Sequence, residues 1–287
     1  MSGKRGLLWL VAGIALALLA GRWLAGMYGD WAFFHALGAD AVWRTALVTQ
    51  AAIRAAVFTL VFTFAFVNFY AVRQSILSLE LPRHVGNLEI RESIPTRRLT
   101  VLALAGAVLL AALFTLVRHD WTVAAQAAYG IPFGEIDPYF ERDLSFYVHW
   151  LPLERAMNGL ISVLVLLVSA IVVALYATTP SVRWDVRGLY VSTWVRRHLG
   201  VLGGLAIGLV AWDWRLDRFA LLTRGHGEGQ FLAEAPFGVF DHRVLVPYLL
   251  LASFAAIPVA VVFAWALWRG YLRLGLALVT LVIVGGP

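Results

Sequence analysis

Long apolar runs alternate with short polar connections along the whole of this chain. Seven runs stand out, at roughly 7–27, 46–70, 99–117, 157–177, 199–216, 244–268 and 271–284. A helix needs about 20 mostly apolar residues to cross a bilayer, and the third, fourth and sixth runs meet that directly. The second is long enough but carries Thr49, Gln50, Arg54 and Asn68. The fifth reaches Leu216 if Asp213 and Arg215 extend their polar ends to the headgroups, and the seventh is short. This pattern predicts an all-α, polytopic integral membrane protein. One transmembrane helical domain is expected over 1–287, with about seven spans.

Composition agrees with that reading. Apolar residues make up 61% of the 287, charged residues 14%, and the mean hydropathy is +0.79. Soluble domains are nearer half apolar and a quarter charged, so the excess calls for lipid. The net charge of +6 does not point to nucleic acid, because the arginines sit between apolar runs and no reader motif accompanies them. The absence of cysteine excludes disulfides, thiolate metal sites and cysteine nucleophiles. Lys4 is the only lysine, which fits a GC-rich bacterial genome. Lys4 and Arg5 precede the first run as in a signal peptide, but Leu18, two residues before Ala20 and third from a cleavage after it, stands where a small residue is wanted. An uncleaved first helix is expected.

The basic residues also set an orientation. With the N-terminus inside, the inner segments hold thirteen basic residues against four acids, and the outer segments nine arginines against thirteen acids. Positive charge favours the cytoplasmic side, so the expectation is a bacterial inner-membrane protein with a cytoplasmic N-terminus and an extracytoplasmic C-terminus.

Between the third and fourth runs lies IDPYFERDLSFYVHWLP. Asp137-Pro138 reads as a helix start, since aspartate caps free N–H groups and proline suits the first turn. Phe140, Leu144, Tyr147 and Leu151 then share one helical face, while Glu141 and Asp143 project elsewhere. The expectation is an amphipathic helix on the outer surface, ended by Pro152. Asp137, Glu141, Asp143, Phe146, Tyr147 and Trp150 are its candidate partner-docking residues.

Arg54 is the most expensive residue in any run, at about 2.5–3.5 kcal/mol for a mid-membrane arginine. It is a candidate intramembrane polar site, or it snorkels to a phosphate or to Asp120 or Asp213. Asn68, the second candidate, suits a hydrogen bond between helices. No run contains a core histidine or carboxylate, as a proton-coupled pathway would need. His119-Asp120, His149, His226 and Asp241-His242 lack the spacing that gathers metal ligands on one helix face, so no metal site is expected. The glycine-rich 224–230 segment lacks the Lys-Ser/Thr ending of a phosphate loop, and there is no nucleophile elbow. Neither catalytic residues nor a cofactor are expected. The run from Gly200 to Gly208 permits close helix contact.

The residues Asp137, Pro138, Phe140, Asp143, Phe146, Tyr147, Leu151 and Pro152 resemble a signature of uncharacterised protein family 0182, a bacterial membrane family. Leu216-Asp217-Arg218-Phe219 is similar to that family's Leu-Asp-Arg-Tyr after the fifth span, and Asp241 and Pro247 match a later element whose other positions depart. The resemblance implies this order of spans and a large extracytoplasmic domain beyond the seventh, a part this sequence does not contain. It implies no reaction. The functional expectation is a non-catalytic accessory or scaffold subunit of a larger bacterial membrane complex, such as a photosynthetic or respiratory assembly, with lipid and other membrane subunits as partners. The alternatives are a transporter or channel for an anionic or small solute, and a membrane enzyme whose site lies in an outer domain.

Overall fold

The computed structural model describes residues 2–77, 84–85, 88–89, 96–117, 120–185, 188–223 and 237–286. Each of the seven apolar runs forms a helix. They are α1 (Ser2–Ala36), α2 (Asp40–Leu77), α3 (Thr96–Leu116), α5 (Leu151–Ala177), α6 (Thr193–Ala220), α7 (Val246–Arg269) and α8 (Leu272–Val284), with a short α4 (Trp121–Tyr129) between α3 and α5. Six helical stretches are long and apolar enough to cross a membrane. The exception among the seven is α8, whose 13 residues rise only about 20 Å. Two antiparallel hairpins of short strands, β1 (His84–Val85) with β2 (Leu88–Glu89) and β3 (Val182–Asp185) with β4 (Gly188–Val191), occupy connections where no strand was expected. In the second, Arg183 faces Tyr190 across the ladder and its guanidinium lies 4.6 Å from the ring centre.

The chain forms two compact units. The first comprises residues 1–55 and 119–122, and the second 56–118 and 123–287. The first is a helical hairpin whose turn at Leu37–Ala39 places Gly38 at φ +66°, a left-handed conformation that glycine takes without steric cost. His35 Nδ1 meets Asp40 at 3.1 Å across this turn, and Trp31 stacks on the His35 ring.

In the second unit, α6 packs on α7 through small residues. A Cβ on Gly200 would meet Leu267 Cβ at 3.0 Å, and one on Gly204 the Ala260 carbonyl at 3.2 Å. One on Gly203 would overlap the Phe263 ring. Lacking side chains at these positions, the two backbones approach closely enough for dispersion contacts along their length. Gly208 has nothing near it, so the close contact stops short of the run's end. Ile207, Ala211, Ala256 and Phe263 form the buried core there. The outer faces remain apolar, with Leu109 62%, Leu166 60% and Leu251 69% exposed.

The segment 137–151 is not one amphipathic helix. Asp137 does cap, but the helix stops after a single turn because Glu141 takes φ +54°. The chain doubles back, Asp137 N–H donating to the Arg142 carbonyl at 2.8 Å and Leu144 N–H to the Glu135 carbonyl at 2.9 Å. Helix resumes at Phe146 as a wide π-turn and runs without a break into α5. Pro152 therefore lies within a continuous helical stretch, where the π-turn passes into α5, and does not end a helix.

Candidate functional site

One end of the second unit is a knot of turns built around two aspartates. Asp137 is 4% exposed and accepts three hydrogen bonds: Tyr139 N–H at 3.0 Å, Phe140 N–H at 2.7 Å and the Tyr147 hydroxyl at 2.9 Å. Asp143 accepts from Phe133 N–H at 3.1 Å, Gly134 N–H at 2.8 Å and Ser145 N–H at 2.8 Å. Hydrogen bonds from the Ser145 side chain and from these backbone groups hold the Asp143 carboxyl well below the usual carboxylate range. Both acids are thus consumed in holding the loop's shape.

The aromatics of the knot close on α6. Phe140, Phe146 and Tyr147 surround Phe219, which is 2% exposed, with Leu151 and Leu216 beneath. The ring centres of Phe140 and Phe146 lie 4.9 and 5.1 Å from that of Phe219, both edge-to-face. The Arg142 guanidinium covers the Phe146 ring at 4.9 Å, and that of Arg218 covers Phe219 at 4.4 Å. Of the six docking candidates, the structure therefore turns Asp137, Phe146 and Tyr147 inward and ties the Asp143 carboxylate to backbone, while Glu141 and Trp150 face outward. Beside them a row of exposed apolar side chains runs through Tyr129, Ile131, Phe133, Ile136 and Tyr139.

Polar groups inside the helices are joined across helix pairs. Asn68 Nδ2 donates to the Phe64 carbonyl at 2.7 Å, which points its Oδ1 at His198 Nε2, 2.8 Å away. His198 Nδ1 lies 2.9 Å from the Tyr176 hydroxyl. One neutral tautomer serves both contacts: Nε2–H donates to Asn68 and Nδ1 accepts from Tyr176. This chain ties α2 to α6 and α6 to α5. Nearer the knot, Asn158 donates to Asp213 at 3.0 Å, and Arg155 pairs with Asp217 at 2.6 Å. Asn68 is thus the interhelical hydrogen bond expected of it. His198, however, stands one position before the predicted fifth run, so counting the run's own residues missed it. Its signal was a lone histidine two residues before the glycine-rich run of the same helix.

Arg54 and Asn68 do not share a cavity. Asn68 lines an apolar groove of about 600 Å³ with Trp194, Arg197, His198 and Trp268. Arg54 belongs to the first unit, where it lines a cavity of about 950 Å³ with mixed polar and apolar walls, together with Arg22, Asp30, Gln50, Trp43 and Trp121. Asp213, one proposed partner of Arg54, is instead bonded to Asn158. Among the described residues neither Arg54 nor Arg22 has a hydrogen-bond or ion-pair partner.

His149 packs edge-on against Phe133, and His242 against Tyr139 and Phe237. Among the described residues no three histidines or carboxylates converge. His119, His226 and the glycine-rich 224–230 segment lie outside the described residues.

Similar proteins share this chain's sequence over almost its full length. A UPF0182 protein of Cupriavidus necator is 31% identical, over 92% of this chain and 29% of its own. One from Geobacter sulfurreducens is 30% identical, over 95% of this chain and 30% of its own. One from Saccharopolyspora erythraea is 26% identical, over 99% and 29%. The chain thus spans about 30% of the length of these curated relatives. No solved structure matches it. The profile of Uncharacterised protein family (UPF0182) covers residues 7–286, and the chain belongs to that family.

Proposed function

We propose that this chain is a membrane-embedded, non-catalytic scaffold within a larger assembly of the bacterial inner membrane. The spans are α1, α2, α3, α5, α6 and α7, with α8 entering the bilayer as a seventh apolar segment. The N-terminus is cytoplasmic and the knot of residues 130–150 lies on the outer side. The observation that carries this reading is the knot itself. Its acids and inner rings fix a rigid loop, and that loop presents Tyr129, Ile131, Phe133, Ile136, Tyr139 and Trp150 on its exposed face. A preformed aromatic surface of this kind loses little conformational entropy when a partner covers it. The interhelical bonds of Asn68, Tyr176, His198, Asn158 and Asp213 support a bundle built for rigidity.

A carrier for an anionic solute is the second reading, and the unpartnered Arg22 and Arg54 favour it. The two readings part on one experiment. In gentle detergent, Tyr139→Ala with Trp150→Ala lowers recovery of co-purifying membrane subunits while the amount of folded chain stays constant. Unchanged recovery removes the knot as a docking face. Orientation is read separately by thiol labelling in intact cells, for which the absence of native cysteine gives a clean background. Glu135→Cys reacts with an impermeant reagent and Tyr190→Cys does not.

A further inference from the structure

We infer that the first unit holds the headgroup of an anionic glycerophospholipid between Arg22 and Arg54. The argument starts from level. Arg22 lies fourteen positions before the end of α1, and Arg54 fourteen after the start of α2. Both therefore sit about 21 Å from the hairpin turn at 1.5 Å per residue. The same arithmetic applied toward the other ends is informative. Arg5 and Arg22 are 17 positions apart and Arg54 and Arg73 are 19, about 26 and 28 Å of helix, with no charged residue between. Those lengths match a hydrocarbon core of about 30 Å. Arg22 and Arg54 thus mark one membrane boundary on both helices, and the outer part of the hairpin rises beyond it. Arg54 is a boundary residue and not a buried one.

At that boundary the two arginines line one cavity. Counting outward along the helices, Gln50 lies about 6 Å and Asp30 about 12 Å above the arginines. Trp23, Trp43 and Trp121 complete the wall. Arginine pairs with phosphate through two parallel N–H donors, and indole rings favour the headgroup layer. The charged lining is two arginines against one aspartate, which selects a headgroup with net negative charge. Gln50 and Asp30 supply acceptors above the phosphate, where a glycerol headgroup carries hydroxyls and a choline headgroup has none. Phosphatidylglycerol carries both the phosphate that suits the arginines and the hydroxyls that suit Gln50 and Asp30.

This inference rests on the membrane setting of the proposed function, and a chain that stays soluble without detergent overturns that setting on its own. The test of the lipid is thermal unfolding of the full chain in detergent with added phosphatidylglycerol, phosphatidylcholine or water-soluble glycerol 3-phosphate. Phosphatidylglycerol is expected to raise the midpoint above that in phosphatidylcholine, and glycerol 3-phosphate to leave it unchanged. Arg22→Gln and Arg54→Gln each raise the phosphatidylglycerol needed for half-maximal effect about fivefold, as expected for roughly one boundary cation apiece. Arg44→Gln, an exposed arginine outside the cavity, leaves it unchanged. An equal shift from glycerol 3-phosphate assigns the cavity to a soluble anion and overturns the lipid. So does an unaltered phosphatidylglycerol response in both variants. Should either variant fail to purify, native mass spectrometry of the unaltered chain decides: no preferential retention of phosphatidylglycerol over phosphatidylcholine overturns the inference.

Discussion

Replacing Asp137 by alanine tests the physical account of the knot at residues 130–150 most directly. The carboxylate is 4% exposed and accepts from three donors. Tyr139 is 49% exposed, so its N–H can turn to water when the carboxylate is removed. The Phe140 N–H and Tyr147 hydroxyl are packed against Phe219 and lose their partner outright. Hydrogen bonds to charged groups are worth about 1.5–3 kcal/mol each, so two such losses destabilise the chain by about 3–6 kcal/mol. The hydroxyl's loss also frees Tyr147 from the orientation that seats it on Phe219. Denaturant titration of the detergent-solubilised chain, followed by tryptophan fluorescence, measures the cost as a shift in midpoint at constant slope. Asp137→Asn retains an acceptor and falls between the two. A loss below about 1 kcal/mol for Asp137→Ala would mean that water replaces the carboxylate, and the buried-cap account would be refuted.

Two further predictions concern the knot's acid limb and the α6–α7 contact. The Asp143 carboxyl is depressed in the folded chain, so its contribution is complete above the ordinary aspartate value of about 3.9 and is lost as pH falls from there through the folded value. Asp143→Asn should therefore flatten the loss of stability below about pH 4, and an unchanged acid limb would remove Asp143 from the account. Gly203→Ala forces a methyl into the Phe263 ring and should cost about 1–3 kcal/mol, while Gly208→Ala meets nothing and should be neutral or stabilising by up to about 1 kcal/mol. Equal effects at the two glycines, read from the same titration, would show that α6 and α7 are not packed through Gly203.

The apolar runs by themselves determined where the helices lie, because a stretch of about 20 apolar residues has few ways to satisfy its backbone other than a helix. Family membership was also legible, in the spacing of Asp137, Pro138, Asp143, Phe146, Tyr147 and Pro152 and in Leu216-Asp217-Arg218. Helix periodicity failed at 137–151, where the apolar positions fit a helical face but one residue, Glu141, turns left-handed and reverses the chain. What makes that reversal stable is non-local. Asp143 reaches back ten residues to Phe133, and Phe219 of α6 supplies the surface on which the knot's rings close. The partners of the polar residues were hidden for the same reason. Asn68 and His198 are 130 positions apart, Asn158 and Asp213 are 55, and a one-dimensional pattern carries no measure of distance between helices. Arg54 shows the division most clearly. The sequence marked it as costly within an apolar run, but only the hairpin's turn set it level with Arg22 and opened both onto one cavity.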